Sequence, residues 1–112
     1  MVNNLPRVRH AALSNRGMGR LALRLDFEEK LTPAEHGLIL RGLGDYVLQQ
    51  QGPVLQPEFR GHIVLLEPVV PTRDDSDFKA AAKQFGYIPP DGTLPFIDED
   101  DRLVLSPPPL RQ

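Results

Sequence analysis

The sequence predicts an α+β fold, in which two helices accompany a mixed β-sheet of four to five strands in the order β-β-α-β-α-β-β. Two observations predict this class. Large apolar residues occupy every second position over residues 20–27 and alternate with Arg20, Ala22, Arg24 and Asp26, which is typical of a strand with one face in water. Apolar residues recur at helical spacing over residues 33–50 and 74–86. The length of 112 residues fits one domain.

The first two strands are predicted to form a hairpin. A strand over residues 20–27 would bury every second side chain: Leu21, Leu23, Leu25 and Phe27. A weaker strand is expected over residues 7–13. The turn cluster of residues 14–19, which contains two glycines, lies between them and would connect them.

The first helix is predicted from Pro33 to about Gln50. Thr32 and Glu35 form a capping box at its start, and Gly52-Pro53 ends it. Its predicted buried stripe contains Ile39, Leu40, Leu43, Tyr46 and Val47. The helix also carries three glycines: Gly37, Gly42 and Gly44. Since each weakens a helix by up to about 1 kcal/mol relative to Ala, we expect packing against another part of the chain to hold it.

The second half of the chain is predicted to continue the sheet. Residues 53–60, with two prolines, are expected to be an irregular connector. The apolar run in residues 62–70 predicts a central strand that is covered on both faces, joined to residues 20–27 by a right-handed β-α-β crossover. Residues 74–86 predict the second helix, with Gly86 as its stop.

The last predicted unit is a hairpin. Residues 94–97 and 102–105 are its strands, and the acidic run of residues 98–101 is its turn. We expect one domain over residues 1–106, in which residues 1–19 form a basic hairpin or arm. Residues 107–112 are expected to be an extended proline-rich tail.

Residues 92–105, which read Gly-Thr-Leu-Pro-Phe-Ile-Asp-Glu-Asp-Asp-Arg-Leu-Val-Leu, resemble the β-hairpin of thioredoxin-like and glutathione-transferase N-terminal domains. In those folds a cis-proline, matched here by Pro95, precedes the third strand. The resemblance implies the shape of the hairpin and the β-α-β-α order before it. It implies no active site, because the chain has no cysteine and residues 28–30, Glu-Glu-Lys, stand where the family's catalytic residue would lie.

Motifs for catalysis and metal binding are missing from the sequence. Zero cysteines exclude a disulfide, a Cys-based zinc site and a thiol nucleophile. His10, His36 and His62 lack metal-ligand spacing, and no serine lies in G-x-S-x-G. The acidic run of residues 98–101 lacks the alternating acids and central glycine of a calcium loop. We therefore predict no catalytic residue, no metal site and no cofactor.

Charge is distributed unevenly along the chain, although the net charge is only −2. Residues 1–25 carry no acid and five basic residues: Arg7, Arg9, Arg16, Arg20 and Arg24. Acidic residues dominate residues 74–101, ending in Asp98, Glu99, Asp100 and Asp101. This distribution has three interpretations: two solvated faces of one domain, a head-to-tail contact between copies, or a phosphate-binding patch at the basic end.

We therefore expect a non-catalytic protein-interaction or assembly module that associates with itself or with a protein partner, such as a subunit of a larger viral or phage-like assembly. In the contact we expect, the five N-terminal arginines of one copy meet the acidic run of the next. The alternative is a nucleic-acid-binding protein that uses the same arginines on phosphates. A second alternative is a small enzyme with His36 or His62 beside a carboxylate.

Neither a small-molecule ligand nor a membrane is expected as a partner. No apolar run approaches the about 20 residues of a membrane span, and the N-terminus lacks the apolar segment of a cleaved signal peptide. The sequence therefore predicts a protein that is cytoplasmic or associated with a particle.

Overall fold

A computed structural model describes residues 5–17, 20–50, 53–72, 75–97 and 103–104. The elements in these residues are the strands β1 (Val8–Asn15) and β2 (Leu21–Phe27), helix α1 (Pro33–Gln50), strands β3 (Leu55–Arg60) and β4 (Ile63–Pro68), helix α2 (Asp75–Gln84), and the two-residue strands β5 (Phe96–Ile97) and β6 (Leu103–Val104). The predicted tail, residues 107–112, lies outside the described residues.

The strands form one sheet in the order β3-β4-β2-β1-β5-β6. Strands β1 and β5 are parallel, and every other neighbouring pair is antiparallel. The α+β class, the mixed sheet and the two helices are therefore confirmed. The hairpin of β1 and β2 is confirmed as well, and backbone hydrogen bonds close its turn from Arg20 N to Gly17 O (3.0 Å) and from Arg16 N to Arg20 O (2.9 Å).

The prediction of an irregular connector over residues 53–60 is wrong, because residues 55–60 form strand β3 at the edge of the sheet. Antiparallel strands exchange backbone hydrogen bonds at every second pair of residues. Val69 N donates to Val54 O (2.9 Å), so the bonded pairs include Gln56 with Glu67, whereas Pro57 lies at an intervening position opposite Leu66. The nitrogen of Pro57 thus faces away from β4, where a proline costs no hydrogen bond.

The predicted crossover from residues 20–27 to residues 62–70 is also wrong, since β2 and β4 are adjacent and antiparallel. Strand β3 pairs antiparallel with β4 and therefore runs parallel to β2. The parallel crossover unit is β2-α1-β3, and β4 folds back between its two strands. The two-residue turn Gly61-His62 makes this reversal, with Gly61 at a φ of 64°.

The core lies between one face of the sheet and the two helices. Strand β2 contributes Leu23, Leu25 and Phe27, which are at most 1% exposed. From the predicted stripe of α1, the side chains of Ile39, Leu43 and Tyr46 are buried and that of Val47 is half-buried. Leu40 is instead 53% exposed. The prediction that Leu40 belongs to the buried stripe is therefore wrong. Leu40 lies about 100° around the helix axis from Ile39, outside the arc of the helix surface that faces the core.

The helix start and the predicted close packing of α1 are both confirmed. Thr32 N donates to Glu35 Oε1 (2.8 Å) and Glu35 N donates to Thr32 Oγ1 (3.3 Å), which is the capping box. A Cβ built on Gly42 would lie 3.1 Å from Cε1 of Phe85, which follows α2. The hydroxyl of Tyr46 donates to the backbone oxygen of Asp77 (2.9 Å), so a second contact joins the two helices.

We expect Gly44→Ala to raise the free energy of unfolding by about 0.5–1 kcal/mol, because a Cβ there meets nothing within 4 Å and alanine favours the helix. Gly37→Ala, which is equally open, is the matched control and should behave alike. Gly42→Ala should gain less or lose stability, since its methyl group crowds Phe85. Urea denaturation measures all three, and an equal gain at Gly42 would contradict this packing.

Burial, together with the carboxylate of Asp77, raises the pKa of the Tyr46 hydroxyl above its usual value of 10.0. The folded protein thus keeps this proton at a pH where the unfolded chain has lost it. We expect the free energy of unfolding to fall as the pH rises above 10.0, and Tyr46→Phe to flatten this fall. Denaturation at alkaline pH measures both slopes, with Tyr87→Phe as the control. Equal slopes in wild type and Tyr46→Phe would refute the assignment.

Candidate interaction surface

The five N-terminal arginines do not form one patch. Arg24 Nε lies 2.9 Å from Asp26 Oδ1, and Arg20 Nη2 lies 3.6 Å from Glu67 Oε2. These two guanidinium groups are therefore balanced within their own chain. Arg7 and Arg9 are exposed, and in the described ranges neither makes an ion pair.

A β-bulge explains why Arg9 is exposed. Val8 pairs with Phe27 and His10 pairs with Asp26, so Arg9 is an extra residue without a partner on β2. The bulge leaves Arg9 and His10 both exposed, between the buried Val8 and the buried Ala11. The strict alternation of a regular strand would have turned one of two consecutive residues inward. No pattern in the sequence signals this bulge.

Arg16, the remaining arginine, follows β1 and lines a polar cleft whose other lining residues lie on β3 and β4. The cleft has a volume of about 230 Å³, and its other lining residues are Gln56, Pro57, Glu58, Leu65 and Glu67. Arg60 contacts Glu58 Oε2 at 2.7 Å, and Arg20 lies near Glu67. The carboxylates of the cleft thus already have cationic neighbours from this chain, and Arg16 lines the same cleft.

A second depression, which the sequence analysis missed, lies between α2 and the segment after it. Its volume is about 290 Å³, and its lining residues are Lys79, Ala80, Lys83, Tyr87, Ile88, Pro89 and Gly92. We call it the α2 pocket. A Schellman cap builds one wall: Gly86 N donates to Lys83 O (2.9 Å) and Tyr87 N donates to Ala82 O (3.0 Å). The Tyr87 ring packs edge-on against His10, with centroids 6.5 Å apart, so the pocket adjoins the start of β1.

The histidines do not assemble a catalytic or metal site in the described part of the chain. His36 stacks on Phe59 with ring centroids 4.0 Å apart, and His62 lies exposed in the turn between β3 and β4. Neither forms an ion pair with a described carboxylate. The same residues contain no group of three potential metal ligands. Among the described helices, none has the length and apolar character needed to cross a bilayer.

The predicted acidic contact surface, Asp98 to Asp101, lies outside the described residues. The strands on either side of it do pair, Phe96 with Val104 and Ile97 with Leu103, as the predicted hairpin requires. The cis-proline implied by the resemblance is absent, because the peptide bond before Pro95 is trans. The register of β1 with β5 is fixed by a bond from Leu13 N to Pro95 O of 2.8 Å.

Comparison with known proteins gives no family model, no curated protein and no solved structure that matches this chain. The candidate surfaces therefore have to be judged on their own geometry.

Strand β3 is the outermost strand of the described sheet, and its outer edge is built so that a strand of another chain pairs with it poorly. Leu55, Pro57 and Phe59 turn their backbone groups outward, and Pro57 offers no N–H at the centre of the strand. We expect Pro57→Val to restore this donor and to raise the average mass in sedimentation as the protein concentration increases. Pro53→Val, before the strand, is the control. An unchanged mass for Pro57→Val would show that something other than the proline protects this edge.

Proposed function

We propose that this chain is a non-catalytic interaction module that associates with itself as a subunit of a larger assembly. In this proposal Arg7 and Arg9 of one copy contact the acidic run of residues 98–101 of the next. The observation that supports it is that these two guanidinium groups are exposed and have no carboxylate of the described residues as a partner. Arginine in such a position forms bidentate bonds with carboxylates.

The direction of the strands favours a contact between copies over one within a copy. Strands β1 and β5 are parallel, and Ile97 pairs with Ser14. Arg9 lies five positions before Ser14 on β1, which is about 16 Å along the sheet. The chain leaves β5 at Ile97, directly before the acidic run, at the opposite end of β1 from Arg9. A contact between Arg9 of one copy and the segment that follows Ile97 in the next copy would be head-to-tail, and the opposite charges of the two segments would favour it.

Nucleic-acid binding, the alternative, has weaker support. Arg20 and Arg24 lie against acidic side chains, so phosphates would have to compete with Glu67 and Asp26 for them. The net charge of −2 also repels a polyanion. The enzyme alternative has no convergent pair of His and carboxylate in the described residues to support it.

A charge-swap experiment tests the proposed contact. One variant carries Arg7→Glu and Arg9→Glu, and the other carries Asp100→Lys and Asp101→Lys. We expect wild type to show a mass above that of a monomer in light scattering at low salt, and each variant alone to be monomeric. Mixing the two variants should restore a mass above that of a monomer, because the unchanged arginines of one variant can then contact the unchanged acidic run of the other.

The control is Arg41→Glu, which reverses an exposed charge on α1 and should leave association unchanged. A monomeric wild type, or a mixture that stays monomeric, would show that the proposed contact does not form. A monomeric wild type that binds a DNA duplex with strong salt dependence would instead favour the nucleic-acid alternative.

A further inference from the structure

The α2 pocket combines an apolar interior with two cations at its wall. Ala80, Tyr87 and Pro89 present carbon surface, and Ile88 on the rim is 71% exposed. Lys79 and Lys83 stand one helical turn apart on the same face of α2. Ile88 thus adds exposed apolar surface next to the carbon surface of the depression.

Neither of the two lysines has an acidic partner among the described residues. No ion pair within the described ranges includes Lys79 or Lys83. The chain has only three lysines, so two of them line this one pocket. Lys83 in the last turn of α2 also balances the helix dipole. That role does not account for Lys79, which lies in the middle of the helix and is half-buried at the pocket wall.

The size of the pocket limits what it can hold. A volume of about 290 Å³ lies at the lower limit of the about 300–1,000 Å³ typical of small-molecule sites. It suffices for one large apolar side chain, the usual anchor of a protein contact. Carboxylates next to such an anchor would meet the two ammonium groups.

We propose that the α2 pocket docks an acidic segment of a partner protein, which inserts one large apolar or aromatic side chain between Lys79, Tyr87 and Ile88. Aspartate or glutamate residues on either side of this anchor pair with Lys79 and Lys83. This site goes beyond the proposed self-association, because it uses neither Arg7 nor Arg9 and no acidic residue of this chain.

The chain contains no tryptophan, so the fluorescence of a tryptophan in a peptide reports on that peptide alone and can measure its binding. The probe is the capped peptide Gly-Asp-Asp-Trp-Asp-Asp-Gly, whose indole can be excited selectively while the full-length protein is titrated in. We expect a blue shift and a rise in anisotropy as the indole enters the pocket. The same peptide with asparagine in place of aspartate should bind about fivefold more weakly, since two partly exposed ion pairs are lost.

Substitutions in the protein test whether the peptide binds at the α2 pocket. Lys79→Gln with Lys83→Gln should weaken binding of the acidic peptide about fivefold and leave that of the asparagine peptide unchanged. Ile88→Ser should reduce the blue shift for both peptides, and because Ile88 is exposed this change leaves the fold intact. Lys30→Gln removes the third lysine, which is exposed near the start of α1, and is the matched control.

Three results would overturn the proposal. The first is a peptide spectrum that does not change at any protein concentration. The second is equal weakening by Lys30→Gln and by the two pocket substitutions, which would indicate attraction by general charge. The third is binding of indole-3-acetate as tightly as the peptide, which would make the site one for small carboxylates rather than for a protein segment.

Discussion

The structure depends on the burial of one face of β2. This strand lies between β4 and β1, and its inward side chains Leu21, Leu23, Leu25 and Phe27 all belong to the core. Each such side chain stabilises the fold by about 2 kcal/mol when it leaves water. Strand β2 lies in the middle of the sheet surface on which both helices pack. The positions of α1, α2 and the pocket beside α2 therefore depend on this strand. On the other face of β2, Arg24 is held by Asp26 instead of projecting as a docking group.

The elements that depend on local chemistry could be predicted from the sequence. The capping box at Thr32 and Glu35 and the buried face of β2 depend on a few neighbouring residues, and both are found in the structure. The prediction that the other face of β2 lies in water is wrong, because Ala22 is buried and Arg24 and Asp26 are half-buried. Strand β3 could not be predicted, because Pro57 is tolerated only where its nitrogen faces the edge, and edge position is a property of the whole sheet. The direction of β4 was missed for the same reason, since the turn at Gly61-His62 becomes evident only once β3 is known to be a strand.

For the candidate surfaces, too, the sequence shows which charged residues are close together along the chain, but not which residues contact each other in the fold. The excess of arginine at the N-terminus is visible in the sequence, but which arginines are already balanced depends on strands that lie far apart along the chain. Glu67, near Arg20, is 47 residues away from it in sequence. The α2 pocket was missed because its wall forms where the Schellman cap turns Tyr87 back over α2. The two lysines on one helical face and Gly86 behind them were the only local signals for it.

The pairing of β5 with β1 also has a consequence for how the protein is made. Phe96 is a member of the core, and the residue that it pairs with, Leu13, lies far before it along the chain. The sheet cannot close on that side until Phe96 and Ile97 have been synthesised. Until then the β5 side of β1 remains uncovered, and an uncovered strand edge of this kind is a surface on which another chain can pair.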